Sequence, residues 1–267
     1  MKKLSAILAA ALLAAVSCSK EAPEAQTVTV HFSVDGAFSA FITDGPALKS
    51  VADGSSVTEM YVGVFDSGGN AIQGLSKKVD KSASTGFNFD LQLVESLSYR
   101  VVLFAQSTGR FVSGENWAEG LRNISLTGFG FCSEADDAFT VTADVTPASQ
   151  RSVEVSLARP WAQLNVATDQ DWAANWASQT ATIKVSGVPT SFDAYDGSVS
   201  GSASLSVSGT ADGSAFSGYS LIGYAYVPVA GAGASAGIEI QKGGTAVKTV
   251  ENVPLQRNYR TNILGNI

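Results

Sequence analysis

Apolar and polar residues alternate along most of this chain, a period of two that is typical of β-strands buried on one face. Clear alternations run over residues 28–34 and 87–93. Residues 99–105 are nearly all apolar, which indicates a strand buried on both faces. Because Gly, Ser, Asp and Asn separate these segments, the pattern predicts an all-β chain of antiparallel β-sandwiches. Similar strand segments are predicted at residues 60–64, 139–143, 153–157, 161–166, 183–188, 205–207, 221–229, 238–240 and 259–263.

Only two short helices fit the pattern, at residues 115–121 and 171–178. In the second, Trp172 and Trp176 fall on one face because they are four positions apart. Two interpretations stay open for these residues and for Trp117 in the first helix. In one interpretation the tryptophans form an exposed aromatic platform that binds a sugar. In the other, which we favour, they pack against the ends of a sandwich.

The chain divides most naturally at residues 146–150, a Thr-Pro-Ala-Ser-Gln loop. About six predicted strands precede this loop and about six follow it, so that each half has the size of one sandwich. Gly, Ser and Ala dominate residues 198–237, a shift in composition that supports the division. We therefore predict an N-terminal β-sandwich at residues 27–149 and a C-terminal β-sandwich at residues 150–267.

Residues 1–17 have the features of a lipoprotein signal peptide. Two lysines precede an apolar run at residues 7–16, which is about half the roughly 20 residues that a membrane-spanning helix needs. Cys18 follows, and we expect it to become the first mature residue and to carry lipid on its sulfur and its amine. A polar stalk at residues 18–26 would then join the body to acyl chains in the outer membrane, and its acidic residues favour the outer surface. The alternative is an ordinary secretory signal with an incidental cysteine.

The body of the protein is acidic. The formal net charge is −7, and removal of residues 1–17 leaves 15 basic and 24 acidic side chains, a net charge of −9. An acidic body argues against nucleic acid as a partner and against electrostatic attraction to anionic lipid. If Cys18 carries lipid, Cys132 has no disulfide partner, and we interpret Cys132 as a small, semi-buried residue rather than a nucleophile.

Candidate catalytic groups are scarce. His31 is the only histidine, and the alternation places it on the polar face of the first strand. A zinc site needs about three or four ligands at short spacing, whereas His31 and Cys132 are isolated. We interpret the acidic residues at 136–137 and 169–171 as solvated turn residues and helix caps rather than as Ca²⁺ ligands. We therefore expect no enzymatic activity, no metal and no cofactor.

Four segments carry a family resemblance. Residues 159–166 (RPWAQLNV) resemble the "RP-aromatic-AQ-[IL]-NV" strand that opens the second domain of fimbrillin-like lipoproteins of Bacteroidetes, which are related to type V pili. Residues 253–266 (VPLQRNYRTNILGN) resemble that family's "NVPL-x-RN-x-RTNI-x-GN" segment. Residues 99–106 (YRVVLFAQ) are similar to its "YRVVFWAQ" strand, and residues 136–139 (DDAF) to its "RDAF" corner.

The resemblance implies two transthyretin-like β-sandwiches in series and a structural, anchor, tip or accessory role in fimbriae that mediate adhesion. It implies as partners other fimbrial subunits and a host or bacterial surface ligand. Pilins of this class assemble by strand exchange, in which an N-terminal strand is clipped away and a strand of a neighbour fills the groove. Here the clipped strand would be residues 28–34. Because no arginine precedes Arg100, Lys49 is the candidate cleavage position.

Two further expectations follow from the sequence. Because the sequence ends at Ile267, directly after the C-terminal segment that carries the resemblance, we expect a terminal or non-polymerising subunit, or else a truncated product. The alternative function is that of a carbohydrate-binding surface lipoprotein in a glycan-uptake system, for which Trp117, Trp172 or Trp176 would supply the platform.

Overall fold

The computed structural model describes residues 26–34, 54–81, 86–114, 117–169, 172–216, 218–231 and 233–267. The predicted signal peptide, Cys18 and Lys49 lie outside the described residues, as does all but the last residue of the predicted stalk. Within the described part of the chain, no helix has both the length and the hydropathy that a membrane crossing requires.

The first half of the chain forms a two-sheet sandwich. One sheet has the order β4-β1-β8, in which β1 pairs antiparallel with β4 and parallel with β8. The other sheet has the order β3-β2-β5-β7 and is antiparallel throughout. The strands are β1 Thr27–Val34, β2 Glu59–Phe65, β3 Lys77–Asp80, β4 Phe87–Val94, β5 Tyr99–Gln106, β6 Ile124–Ser125, β7 Ala138–Val145 and β8 Ser152–Val155.

The alternation of apolar residues determines which face of each outer strand is buried. In β4 the burial alternates strictly, with Phe87, Phe89, Leu91 and Leu93 buried and the residues between them exposed. β5 is buried along almost its whole length because it lies between β2 and β7 and is covered on both faces. Both patterns confirm the strands that the sequence predicts.

The second half of the chain forms a second sandwich. Its sheets have the orders β14-β15-β9-β18 and β13-β10-β16-β17. β9 pairs antiparallel with β15 and parallel with β18. The strands are β9 Trp161–Thr168, β10 Thr180–Val188, β11 Ser191–Phe192, β12 Val199–Ser200, β13 Ala203–Thr210, β14 Ala215–Phe216, β15 Tyr219–Pro228, β16 Ala234–Lys242, β17 Thr245–Leu255 and β18 Arg260–Gly265.

The two sandwiches repeat one topology. In each, the first strand lies between an antiparallel neighbour and the last strand, with which it is parallel: β4-β1-β8 in the first and β15-β9-β18 in the second. The facing sheets, β3-β2-β5-β7 and β13-β10-β16-β17, correspond strand for strand. The chain is therefore built from two copies of one arrangement, and the all-β sandwich architecture expected from the sequence is confirmed.

The predicted division into separate domains stays a prediction, and the strand pairing adds one detail to it. Ser152–Val155 follows the predicted boundary at residue 150, yet it pairs with β1 in the first sandwich. A third, small sheet of order β12-β11-β6 joins strands from both halves. The two sandwiches therefore share backbone hydrogen bonds.

The predicted helices are present as single turns among the described residues. They are α1 Trp117–Gly120 and α2 Trp172–Asn175, and a 3-10 turn lies at Glu134–Asp136. Both α-helical turns are shorter than the sequence predicts. One turn forms few backbone hydrogen bonds, so the packing of the tryptophan side chains has to stabilise it.

Candidate functional site: the first strand and the junction of the sandwiches

The first strand, β1, is enclosed on both edges. It pairs with β4 over its full length, and its second half pairs with β8. The His31 amide also donates to the Arg151 carbonyl, 2.9 Å away. A strand in the middle of a sheet cannot leave without breaking hydrogen bonds on both sides, so β1 is an integral part of the fold.

The inward face of β1 fills the centre of the first core. Val30, Phe32 and Val34 are all buried. The ring of Phe32 stacks on that of Phe89 in β4, with centroids 4.8 Å apart and planes within 6°. Full burial of one such side chain contributes about 1.5–3 kcal/mol. Loss of β1 would therefore open a groove with an apolar floor, edged by the backbones of β4 and β8.

The outward face of β1 is polar, as the sequence predicts. His31 lies opposite Asp90 in β4, and its Nδ1 is 2.6 Å from an Asp90 carboxylate oxygen. Both side chains are more than half exposed. An exposed pair of this kind contributes at most about 1 kcal/mol. No other His or Cys lies with them in a metal-binding group within the described residues.

The acidic corner at residues 136–137 differs from its predicted role. Both side chains are buried and paired with arginines, Asp136 with Arg110 and Asp137 with Arg159. The prediction of solvated turn acids is therefore wrong here, whereas the predicted capping role holds for Asp136, which accepts from the Ser133 amide at the start of the 3-10 turn. Burial by itself would raise the pKa of Asp137, and the Arg159 guanidinium opposes that shift.

The Asp137–Arg159 pair joins two of the segments that carry the family resemblance. Arg159 Nε donates to Asp137 Oδ1 at 2.8 Å, and its Nη2 donates to Oδ2 at 3.0 Å. The guanidinium also lies over the Phe139 ring, 4.3 Å from the centroid. Neither charged side chain is exposed to solvent. The "RP" segment and the "DDAF" corner therefore contribute the two halves of one buried ion pair: Asp137 directly precedes β7, and Arg159 lies between β8 and β9.

Gln106, at the end of the YRVVLFAQ segment, holds the loop that follows it. The buried side chain accepts from the amides of Phe111 and Val112 and donates to the Val112 carbonyl and to Glu59. Burial by itself would raise the pKa of Glu59, but hydrogen bonds from Lys78, the Gly109 amide and Gln106 bring it below its usual value. The YRVVLFAQ segment therefore has a structural role, because its last residue fixes the conformation of the loop after β5.

The RPWAQLNV segment pairs with the VPLQRNYRTNILGN segment. Because β18 is parallel to β9, Arg260 lies beside Gln163 and Asn262 beside Asn165. Asn165 Nδ2 donates to Asn262 Oδ1 at 2.8 Å, and Gln163 Nε2 donates to Asn165 Oδ1 at 2.8 Å. This ladder of amides satisfies the polar side chains of β9, which is buried, and of its partly exposed neighbour β18. It explains why Gln and Asn occur within the buried strand β9.

Aromatic side chains fill the junction between the sandwiches. Trp161 packs edge-to-face against Phe131 at 5.8 Å and against Phe192 at 5.7 Å, and lies 5.6 Å from Phe111. Across the same junction, β6 pairs with β11, and the Ala194 amide donates to the Leu121 carbonyl at 2.8 Å. A single buried cluster therefore extends from the first sandwich into the second.

The three tryptophans proposed as a sugar platform do not share one exposed surface. Trp117 is buried edge-to-face against Tyr61, with centroids 5.0 Å apart. Trp176 is buried, and its Nε1 donates to the Ile267 carbonyl at 2.9 Å. Trp172 keeps partial exposure and covers Gly213, where a Cβ atom would lie 2.6 Å from the indole ring. Packing accounts for all three positions.

Cys132 lies at the surface rather than in the semi-buried position that we expected. It borders a cavity of about 140 Å³ in the second sandwich. The same cavity is lined by Ile183, Val207, Ile222 and Tyr224, which belong to β10, β13 and β15. Desolvation raises the pKa of the Cys132 thiol, and Asp136 adds to the shift. A raised pKa leaves less thiolate at neutral pH, which is unfavourable for a nucleophile.

Three solved structures, from Porphyromonas gingivalis and two Bacteroides species, share this fold. The fimbrial anchor protein Mfa2 from Porphyromonas gingivalis matches with a TM-score of 0.54 at 12% identity, over 85% of this chain and 82% of that one. A candidate adhesin from Bacteroides ovatus matches with a TM-score of 0.55 at 14% identity, over 89% of each chain. A candidate polysaccharide-binding protein (DUF1812) from Bacteroides thetaiotaomicron matches with a TM-score of 0.58 at 9% identity, over 88% and 89%.

These matches confirm the fimbrillin-like fold that the four segments predict. No curated protein matches the sequence. The sequence model of one family matches residues 23–267, which is nearly the whole chain. The chain therefore belongs to this family, which is described as a family of unknown function (DUF6562).

Proposed function

We propose that this chain is a surface-anchored, fimbrillin-like lipoprotein that serves adhesion as a structural, anchor, tip or accessory subunit of fimbriae and has no enzymatic activity. The observation that carries the proposal is the repeated sandwich with β1 enclosed in the middle of its sheet. The description of one similar structure as a fimbrial anchor and of another as a candidate adhesin supports it.

The use of the distinctive residues also supports a structural role. Asp137, Arg159, Gln106 and Asn165 are all buried, and each makes hydrogen bonds within the fold. A catalytic group has to reach a substrate, and these side chains cannot do so without unfolding. The segments that distinguish this chain thus stabilise two sandwiches and their junction.

Strand exchange at β1 is the proposed route of assembly. Cleavage in the segment between β1 and β2, with Lys49 as the candidate position, would free β1 from its covalent link to β2. A donor strand that enters from another fimbrial subunit would replace the hydrogen bonds to β4 and β8 and refill the positions of Val30, Phe32 and Val34. An empty groove would expose unpaired strand edges, so the clipped protein should aggregate until the groove is filled.

Carbohydrate binding is the alternative, and the description of one similar structure mentions it. Two of the three tryptophans proposed for the sugar platform, Trp117 and Trp176, are buried, so only the partly exposed Trp172 could contact a glycan. A glycan array separates the two: we expect no selective retention of the purified protein on any glycan. Saturable binding to one glycan class, abolished by Trp172→Ala, would favour the alternative.

The anchor is tested by fractionation of cells that carry tagged protein. The wild type should partition into detergent, incorporate radiolabelled palmitate and be accessible to protease added to whole cells. Cys18→Ala should lose the label and leave the membrane fraction or retain its signal peptide. Cys132→Ala is the matched control and should behave like the wild type. Unchanged detergent partitioning of Cys18→Ala would contradict the lipid anchor.

A further inference from the structure

The cavity beside Cys132 extends between the two facing sheets of the second sandwich. One wall consists of side chains from β10 and β13, which belong to one sheet, and the other wall of side chains from β15 in the facing sheet. Ile183, Val207 and Ile222 on these walls are buried members of the large core cluster. The cavity is therefore an unfilled part of the core that opens to solvent.

Two small residues leave this part of the core unfilled. Ile183 of β10 lies opposite Val207 of β13, and the next pair on the same face is Ala181 opposite Gly209. Because side chains alternate between the two faces of a strand, this second pair also points inward. A Cβ atom added at Gly209 would meet no atom of a more distant residue within 4 Å. An alanine and a glycine at these positions therefore keep the cavity open.

The mouth of the cavity is acidic. Asp212, an exposed residue just after β13, is the one charged side chain among the described residues that line the cavity. Burial raises the pKa of Tyr224, which also lines it, and the negative charges of Glu134, Asp136 and Asp212 add to that shift. A cleft with apolar walls and charge of one sign attracts ligands of the opposite sign. A cationic group is therefore favoured at the mouth.

The volume of the cavity limits the size of its occupant. Its volume of about 140 Å³ is close to that of an apolar cavity of about 150 Å³ that is known to bind one benzene molecule. A single aromatic ring therefore fits. A sugar would place its hydroxyl groups against Ile183, Val207 and Ile222, which cannot form hydrogen bonds with it, and the loss of those bonds is costly.

We propose that this cavity binds a small amine that carries one aromatic ring. The ring lies between Ile183 and Ile222, beside the Ala181–Gly209 pair, and the ammonium group lies at the Asp212 carboxylate. Burial of the ring supplies the affinity, and the carboxylate selects amines over acids. The site is separate from the β1 groove and does not depend on a fimbrial role.

A pair of ligands with the same ring tests this assignment. 2-Phenylethylamine is the probe, and phenylacetate is its control because a carboxylate replaces the ammonium group. In calorimetric titrations of the purified protein we expect saturable binding of the amine and at least tenfold weaker binding of the acid. Bound amine should also slow the alkylation of Cys132 by iodoacetamide several-fold, as measured by mass spectrometry of the peptide that contains this residue. No saturable binding at millimolar amine, equal binding of the acid, or unchanged alkylation of Cys132 would overturn the proposal.

Gly209→Leu fills the cavity from β13. The φ angle of Gly209 is not positive, so the strand accepts a side chain there without backbone strain. We expect at least tenfold weaker binding of 2-phenylethylamine, because the leucine occupies the position of the ring. Ser206→Leu is the matched control: it adds the same side chain to the exposed outer face of β13, opposite Lys184, and should leave the affinity within twofold. Equal binding of the amine by Gly209→Leu and the wild type would overturn the proposal.

Asp212→Asn tests the charge and leaves the core unchanged, so it remains informative even if Gly209→Leu does not fold. Asn keeps an oxygen that accepts from the Ser214 amide, as Asp212 does at 2.8 Å. Binding of 2-phenylethylamine should weaken at least fivefold, whereas that of benzyl alcohol, which has the ring but no charge, should stay within twofold. An unchanged affinity for the amine, or an equal loss for both ligands, would overturn the proposed position of the ammonium group.

Discussion

The substitution Asp137→Asn tests whether the buried ion pair joins the two motif segments as we describe. The change keeps the size of the side chain and removes its charge. The Arg159 guanidinium then stays fully buried and loses the charge of the carboxylate that it binds through two of its nitrogen atoms. Breaking a buried pair from one side costs about 3–5 kcal/mol, since the remaining charge keeps its desolvation penalty. We therefore expect Asp137→Asn to lower the free energy of unfolding by about that amount.

The chain offers a control with nearly the same geometry. Arg100 binds Asp144 through Nε at 2.7 Å and Nη2 at 3.0 Å, but the Asp144 side chain is 72% exposed. An exposed pair contributes at most about 1 kcal/mol, so Asp144→Asn should be nearly neutral. Because the hydrogen bonds match and only burial differs, the comparison isolates the effect of burial.

Urea titrations of the three proteins, followed by circular dichroism at about pH 8, measure the difference. Equal slopes of free energy against urea would show that the unfolded states are comparable. A cost below about 1 kcal/mol for Asp137→Asn, or a cost equal to that of Asp144→Asn, would refute the reasoning. It would mean that water reaches the pair or that its contribution to the fold is small.

Two further predictions concern the core of the first sandwich and the junction. Phe32→Ala should cost about 3–5 kcal/mol through lost burial and a cavity, whereas His31→Ala on the outer face should cost under about 1 kcal/mol; equal costs in urea titrations would contradict the face assignment. Because Trp161 belongs to a cluster shared by both halves, calorimetry should give one unfolding transition, and Trp161→Ala should lower its midpoint without splitting it; two separate transitions in the wild type would show that the halves unfold independently.

The strands were predictable from the sequence because burial of one face of a strand produces an alternation of apolar and polar residues within that strand. The alternation at residues 28–34 and 87–93 marks β1 and β4, and the apolar run at residues 99–105 marks β5. Each of these signals lies within one strand. The resemblance of four segments supplied the transthyretin-like type of the two sandwiches, which periodicity alone does not contain, and the order of the strands came only from the structure.

The pairing of charges was not predictable in this way. Asp137 and Arg159 are 22 positions apart, and a period-two pattern carries no information about which acid meets which base. The one signal was Arg159 itself, a charged residue two positions before a mostly apolar strand. The tryptophans show the same limit, because spacing along a short helix indicates a shared face but not what covers it.

Exchange of the first strand is the most direct test of the account. A specific protease site inserted after Lys49 would allow the purified protein to be cut between β1 and β2. A labelled synthetic peptide with the sequence of Thr27–Val34 is then added, and native mass spectrometry follows its uptake. The account predicts that cut protein incorporates one labelled strand in place of its own, that uncut protein incorporates none, and that a peptide with aspartate at the position of Phe32 fails to enter. Cut protein that retains its own β1 and takes up no peptide under mild destabilisation would contradict the claim that this fold serves assembly by strand exchange.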